Sequence, residues 1–278
     1  MLCLTALSYM GCGDAEWGSA TIGKMSCSFG SFNDFAPNAG RVVKMSAGNN
    51  GDNLYILDNS YYVHAYKRDN IYECGFNLEN SYGFNGFPSD VLFANNSFYV
   101  QDGAALKSKD GKEECYAKTG VFALSGNELA VGSNAGLEVW SINNCLKKGS
   151  IISQNVLALV ATSSEYYIAE AGGYANEPQN FAMYSKNGDL INREPMSSTP
   201  GNEKNFCSAD RIAANNSGVY LLDKKCRKIG VFDAYAVWRK TISLDSIGIR
   251  TPLDIAADKY PYILILHANG VERIRLNF

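Results

Sequence analysis

Apolar and polar residues alternate along most of the chain in short runs separated by Gly, Asn, Asp and Ser. That period of two is the signature of β-strands with one buried face. The clearest stretch, from Asp210 to Leu244, reads DRIAANNSGVYLLDKKCRKIGVFDAYAVWRKTISL. It parses as a strand (RIAA), a turn (NNSG), a strand (VYLLD), a loop, a strand (KIGVFD), a turn and a last strand (VWRKTISL). This is the plan of a four-stranded antiparallel meander. No stretch shows sustained helical periodicity.

The same plan returns from Val42, Asp90, Val121, Leu157 and Leu253. The apolar anchors of the second strands are Tyr55, Tyr99, Leu129, Tyr167, Tyr220 and Ile263. They recur about every 42 residues, the length of a propeller blade. Turn pairs stand where hairpins need them, at Asp110-Gly111, Asn187-Gly188 and Asn269-Gly270. The expected fold is all-β: a six-bladed β-propeller of four-stranded antiparallel blades. A β-sandwich shares the alternation but does not call for six copies of one unit. The last copy ends at Phe278 after three strands, and the strand-like run SATIGKMSC (19–27) is expected to supply its missing outer strand and close the ring.

The run VYLLDKKCRKIGVFD (219–233) resembles the NHL-type propeller repeat, and Pro252-Leu253-Asp254-Ile255-Ala256-Ala257-Asp258 resembles that repeat's opening strand. The middle units depart from it, since Leu129-Ala130-Val131-Gly132 lacks the Asp. The resemblance implies six blades. It implies no function, because such propellers serve as binding platforms, lyases, lactonases and sensor modules.

The chain has 278 residues, a net charge of −3 and two histidines. That gives no basic footprint for nucleic acid and too few imidazoles for a three-His metal site. Residues 1–11 (MLCLTALSYMG) are uncharged and apolar and look like a bacterial lipoprotein signal, with Cys12 accepting the lipid, 12–18 as a tether and 19–278 as the propeller. The expected location is the cell envelope, with membrane contact only through that anchor. Setting Cys3 and Cys12 aside leaves an even set of cysteines, which suits disulfides in an oxidising compartment. Cys207 and Cys226 fall in one blade and are expected to pair.

Strand alternation sorts the connections onto two faces. The turns joining first to second and third to fourth strands share one face and are short. The remaining connections are longer and share the other. This loop-rich face offers Tyr82, Phe84, Phe87, Tyr174, Glu177, Gln179 and Arg250, a mixture of flat rings and directional polar groups suited to glycan, peptide or protein recognition. Carboxylates recur there as well. Asp58, Asp102, Glu170 and Asp223 end second strands, and Asp90, Asp210 and Asp254 begin first strands. Strand-end capping accounts for such repetition. The alternative is a central Ca²⁺ site. No other cofactor and no catalytic residue is expected. The sequence therefore reads as an exported, lipid-anchored propeller that binds a glycan, peptide or protein partner. A metal-dependent lactonase- or lyase-like enzyme is the alternative. The anchor has a direct test: Cys12→Ser should move the protein from the membrane to the soluble fraction, and unchanged membrane association would refute it.

Overall fold

The computed structural model describes residues 23–29, 42–48, 51–70, 74–151, 154–171, 177–259, 261–268 and 270–276. The expected signal and tether, with Cys12, lie outside the described residues, and so does Tyr174.

Six sheets follow one another around the ring. We number the blades 1 to 6 and letter the strands A to D outward from the axis. Blade 1 comprises Val42–Ala47, Asn53–Asp58, Tyr62–Asn70 and Gly75–Gly83. Blade 2 comprises Asp90–Ala94, Ser97–Asp102, Ala105–Ser108 and Glu113–Tyr116. Blade 3 comprises Val121–Ser125, Glu128–Ser133, Gly136–Ser141 and Leu146–Ile151. Blade 4 comprises Asn155–Ala161, Glu165–Ala171, Pro178–Ser185 and Leu190–Pro195. Blade 5 comprises Arg211–Asn215, Gly218–Asp223, Lys228–Phe232 and Trp238–Ser243. Blade 6 comprises Pro252–Ala257, Tyr262–His267 and Gly270–Arg275, and takes its outer strand from Gly23–Ser26. All pairings within these blades are antiparallel, so the expected six-bladed propeller is the fold.

Its cohesion comes from seams between neighbouring blades. Strand side chains alternate between the two sheet faces, and each face packs on the next blade. One apolar cluster fills each seam: Tyr55, Leu57 and Val63 with Val91, Phe98 and Val100 between blades 1 and 2, for example. Phe181 and Phe232 stack across the seam between blades 4 and 5 with centroids 4.0 Å apart. The short A–B turns use residues that tolerate their geometry. Asn95 and Asn96 both have positive φ, 51° and 57°, which a primed hairpin turn requires and Asn accepts more readily than most residues.

The seam between blades 6 and 1 is where the ring closes. Gly23–Ser26 pairs antiparallel with Gly270–Arg275, in register Gly23 with Arg275. The chain then crosses to blade 1, where Ser28 and Phe29 pair in parallel with Gly75 and Phe76 as a fifth strand that the repeat pattern does not reveal. Cys27, between the two pairings, is joined to Cys74. Inside the seam Asp258 is buried and accepts from Arg68 Nη2 of blade 1 at 2.8 Å and Arg273 Nε of blade 6 at 2.7 Å. Two further disulfides are Cys115–Cys145, linking blades 2 and 3, and Cys207–Cys226, as expected.

Cys27–Cys74 spans 47 residues of chain, against 19 for Cys207–Cys226. Loop-closure entropy makes the longer link the more stabilising one by about 1 kcal/mol. In urea or guanidinium titrations, Cys27→Ser/Cys74→Ser should therefore lose about 2–4 kcal/mol, more than Cys207→Ser/Cys226→Ser. The reverse order would show that the clasp does not carry ring closure.

Candidate functional site

Each blade presents its A strand as a sheet edge toward the axis. Together these edges enclose a cavity of about 1070 Å³, reached by residues of all six A strands and their A–B turns. It therefore opens on the short-turn face. Its mouth is ringed by small polar side chains, among them Asn96, Ser125, Ser163 and Asn216, together with the exposed Lys259. Its walls are the inner edges of the A strands, whose backbone N–H and C=O groups have no neighbouring strand on that side.

The floor is a single arginine. Arg211 begins strand A of blade 5 and reaches across the axis to blade 2, three blades away. Its Nη1 donates to Asp90 Oδ2 and its Nη2 to the carbonyls of Val91 (3.3 Å) and Met45 (3.4 Å). Its Nε lies 3.7 Å from Asp254 Oδ1 of blade 6. Asp254 is fully buried, and its other oxygen accepts from the Met45 N–H at 2.8 Å. Arg211 thus ties blade 5 to blades 1, 2 and 6 and stops the cavity near the loop-rich end. Burial opposes its charge, but Asp90 and Asp254 outweigh that and raise its pKa above the ordinary arginine value.

The loop-rich face is less uniform than the sequence suggests. Tyr82 lies in strand D of blade 1, not in a loop, and meets Phe98 edge-on with centroids 5.1 Å apart. Phe84 is buried against the same ring, at 6.2 Å. Both belong to the seam between blades 1 and 2. Phe87 is 75% exposed and meets Tyr61 edge-on at 5.5 Å. Glu177, Gln179 and Arg250 are exposed. Glu177 and Gln179 belong to blade 4 and Arg250 precedes blade 6, whereas Phe87 precedes blade 2, so one patch does not unite them.

The four carboxylates proposed around a cation are each held within or beside their own blade. Asp58 accepts the N–H groups of Ser60 and Tyr62. Asp102 accepts from Lys107 Nζ at 2.5 Å and the Phe87 N–H at 3.1 Å; burial pushes its carboxyl up, but these bonds and the Lys107 charge hold it below the usual range. Glu170 is fully buried and accepts from Arg193 Nε at 3.0 Å and the Tyr184 hydroxyl at 2.9 Å. Burial first and this carboxylate second push the Tyr184 hydroxyl up to about 12. Asp223 accepts from the N–H groups of Cys207 and Cys226 and from Ser208 Oγ. None of the four lines the axial cavity. Among the described residues, the one close group of three metal-ligating types is Cys207, Asp223 and Cys226, whose thiols form a disulfide.

Sequence reasoning missed Arg211. Its signal was available: blade 5 opens Asp210-Arg211, where blades 2 and 6 follow their aspartates with Val91 and Ile255. A lone cation in the innermost strand of a propeller points at the axis or at a seam.

The chain matches no protein-family model and no curated protein sequence.

Removing Arg211 strands two buried carboxylates. Arg211→Leu should cost about 3–5 kcal/mol in denaturant titrations. Adding Asp90→Asn and Asp254→Asn to Arg211→Leu should return most of that loss. A triple variant no more stable than the single one would show that the charge pairing is not what holds the floor.

Proposed function

We propose that the protein is an exported binding module whose ligand enters the axial cavity from the short-turn face. The observation that carries this reading is the cavity itself: about 1070 Å³, closed at one end by Arg211 and lined by strand edges and small polar turns. Its volume is of the order that holds an oligosaccharide or a peptide segment. Its chemistry is mainly that of uncharged hydrogen bonding, with one exposed cation, Lys259, at the rim. Asn, Ser and backbone groups supply paired donors and acceptors at the mouth and walls, and the floor charges are already engaged with one another. The ligand class is therefore a neutral glycan or peptide, since a single rim lysine is a poor footprint for a nucleic acid.

Three disulfides support an oxidising compartment. With the apolar stretch before Cys12 they support export and a lipid anchor in a bacterial envelope. The NHL-type resemblance bears on the blade pattern and adds nothing to the choice of ligand. A central Ca²⁺ enzyme is the weaker reading, because Asp58, Asp102, Glu170 and Asp223 are each engaged by local donors. Recognition on the loop-rich face has one observation in its favour, the exposed Phe87 ring beside Tyr61.

The two binding readings separate by mutation. Panels of neutral oligosaccharides and of peptides should yield binders whose affinity falls at least about tenfold in Ser163→Trp and Asn216→Trp, which crowd the mouth, and is unchanged in Phe87→Ala. Loss in Phe87→Ala alone would move the site to the loop-rich face.

A further inference from the structure

At the loop-rich end of blade 1 three side chains from three strands form a continuous hydrogen-bonded chain that the cavity does not use. Asp58 ends strand B, His64 lies in strand C and Ser81 in strand D. Asp58 Oδ1 accepts the N–H groups of Ser60 and Tyr62, at 2.8 and 2.9 Å, which fixes the carboxylate. Its Oδ2 lies 3.2 Å from His64 Nε2. On the other side of the ring, His64 Nδ1 lies 2.9 Å from Ser81 Oγ. A carboxylate can only accept, so the neutral imidazole carries its proton on Nε2 and leaves Nδ1 as the acceptor. The Ser81 hydroxyl is then the donor, aimed at a base that an acid orients.

Local structure assembles this chain. Between strands C and D, Tyr66 pairs with Leu78 but Ala65 pairs with Asn80, so Glu79 is an extra residue. That bulge shifts the register beyond it by one. Ser81 faces His64 because of it; an unbroken ladder would put Asn80 there. The Tyr62 ring stacks beside the imidazole, with centroids 6.4 Å apart and 21° between planes. It can lie there because Gly83 opposite has no Cβ; one would come within 3.0 Å of the ring. His64 is 4% exposed, whereas Ser81 is exposed. The base is sheltered and the hydroxyl is presented to solvent.

We propose that Ser81, His64 and Asp58 form a hydrolytic site for carboxylic esters. Ser81 Oγ attacks the carbonyl carbon while its proton passes to His64 Nδ1. The tetrahedral adduct collapses, the C–O bond to the leaving alcohol breaks, and His64 returns that proton to the alcohol oxygen. Water then attacks the acyl-Ser81, losing its proton to Nδ1. Release of the carboxylic acid returns the proton to Ser81 Oγ. Ser81 and His64 are the catalytic residues, and Asp58 is a positioning residue that fixes the imidazole tautomer. Ser81 stands exposed on the outermost strand at this level. That placement favours an ester projecting from a larger molecule over a small one that must be engulfed.

The test uses the full, disulfide-bonded chain with a fluorophosphonate probe and p-nitrophenyl acetate. The expected result is a covalent adduct that peptide mass spectrometry places on Ser81. Ser81→Ala should abolish it, and His64→Gln should slow its formation about 100-fold or more. Asp58→Asn, which can no longer hold the tautomer, should change the pH profile of labelling as well as its rate. Ester hydrolysis should fall to the uncatalysed level in Ser81→Ala, an exposed substitution that leaves the fold intact. No adduct at Ser81, a label that persists in Ser81→Ala, or full labelling of a folded His64→Gln would overturn the proposal. Its failure leaves the cavity reading untouched, since the mouth variants report on that separately.

Discussion

A propeller is a ring, and a ring of separate sheets is only as sound as its closing seam. Here that seam is made by a segment from the far end of the chain. Four residues, Gly23–Ser26, complete blade 6 by pairing with Gly270–Arg275. Ser28 and Phe29 add to the outer edge of blade 1, and Cys27–Cys74 locks the crossing between the two pairings. Without this clasp blade 6 would have a bare third strand as its outer edge, a pairing liability that β proteins avoid. The seam also holds the buried Asp258 carboxylate between arginines of both blades. A buried carboxylate is tolerable only when fully paired, so Arg68 and Arg273 can stay there only while blades 6 and 1 remain together. Every placement at the axis follows, because the A strands converge on one line only in a closed ring.

At that line Arg211 does for the centre what the clasp does for the rim. Its guanidinium joins blade 5 to blades 1, 2 and 6 through a carboxylate, two carbonyls and a second carboxylate. A planar fork of donors suits such a radial junction better than an ammonium would. By filling the axis near the loop-rich face it turns a channel into a pocket with one mouth. The carboxylates that end B strands have a different task. Each satisfies backbone N–H groups or a neighbouring cation where a strand gives way to a loop, so their recurrence reflects the repeat rather than a shared ligand.

Much of this architecture is legible in the sequence because it rests on local rules. Period-two runs located the strands. Turn residues such as Asn95-Asn96 located the hairpins. The recurrence of second-strand anchors from Tyr55 to Ile263, about 42 residues apart on average, gave six units, and the missing fourth strand of the last unit pointed to the N-terminal run. What was not legible depends on closeness across the ring. The parallel pairing of Ser28–Phe29, the Cys27–Cys74 and Cys115–Cys145 links, and the reach of Arg211 join segments whose separation carries no periodic signal. Phe84 has the composition of a recognition residue, but only the packing shows that Phe98 occupies its face. The chain from Asp58 through His64 to Ser81 depends on a single bulge at Glu79. Sequence alternation counted without that bulge places Asn80 opposite His64 and hides the arrangement.

The two proposed sites sit at opposite ends of the strands, and the chain's entry bears on how both are presented. Gly23 pairs with Arg275, the end of a C strand, where the short turns lie. The polypeptide therefore joins the rim on the side of the cavity mouth, away from the loop-rich end that carries Ser81. An anchor at Cys12, as proposed, would attach the ring on the side of the cavity mouth, with the exposed serine facing the other way. A ligand held in the cavity and an ester met at Ser81 would then approach from opposite sides, so neither has to leave for the other to bind.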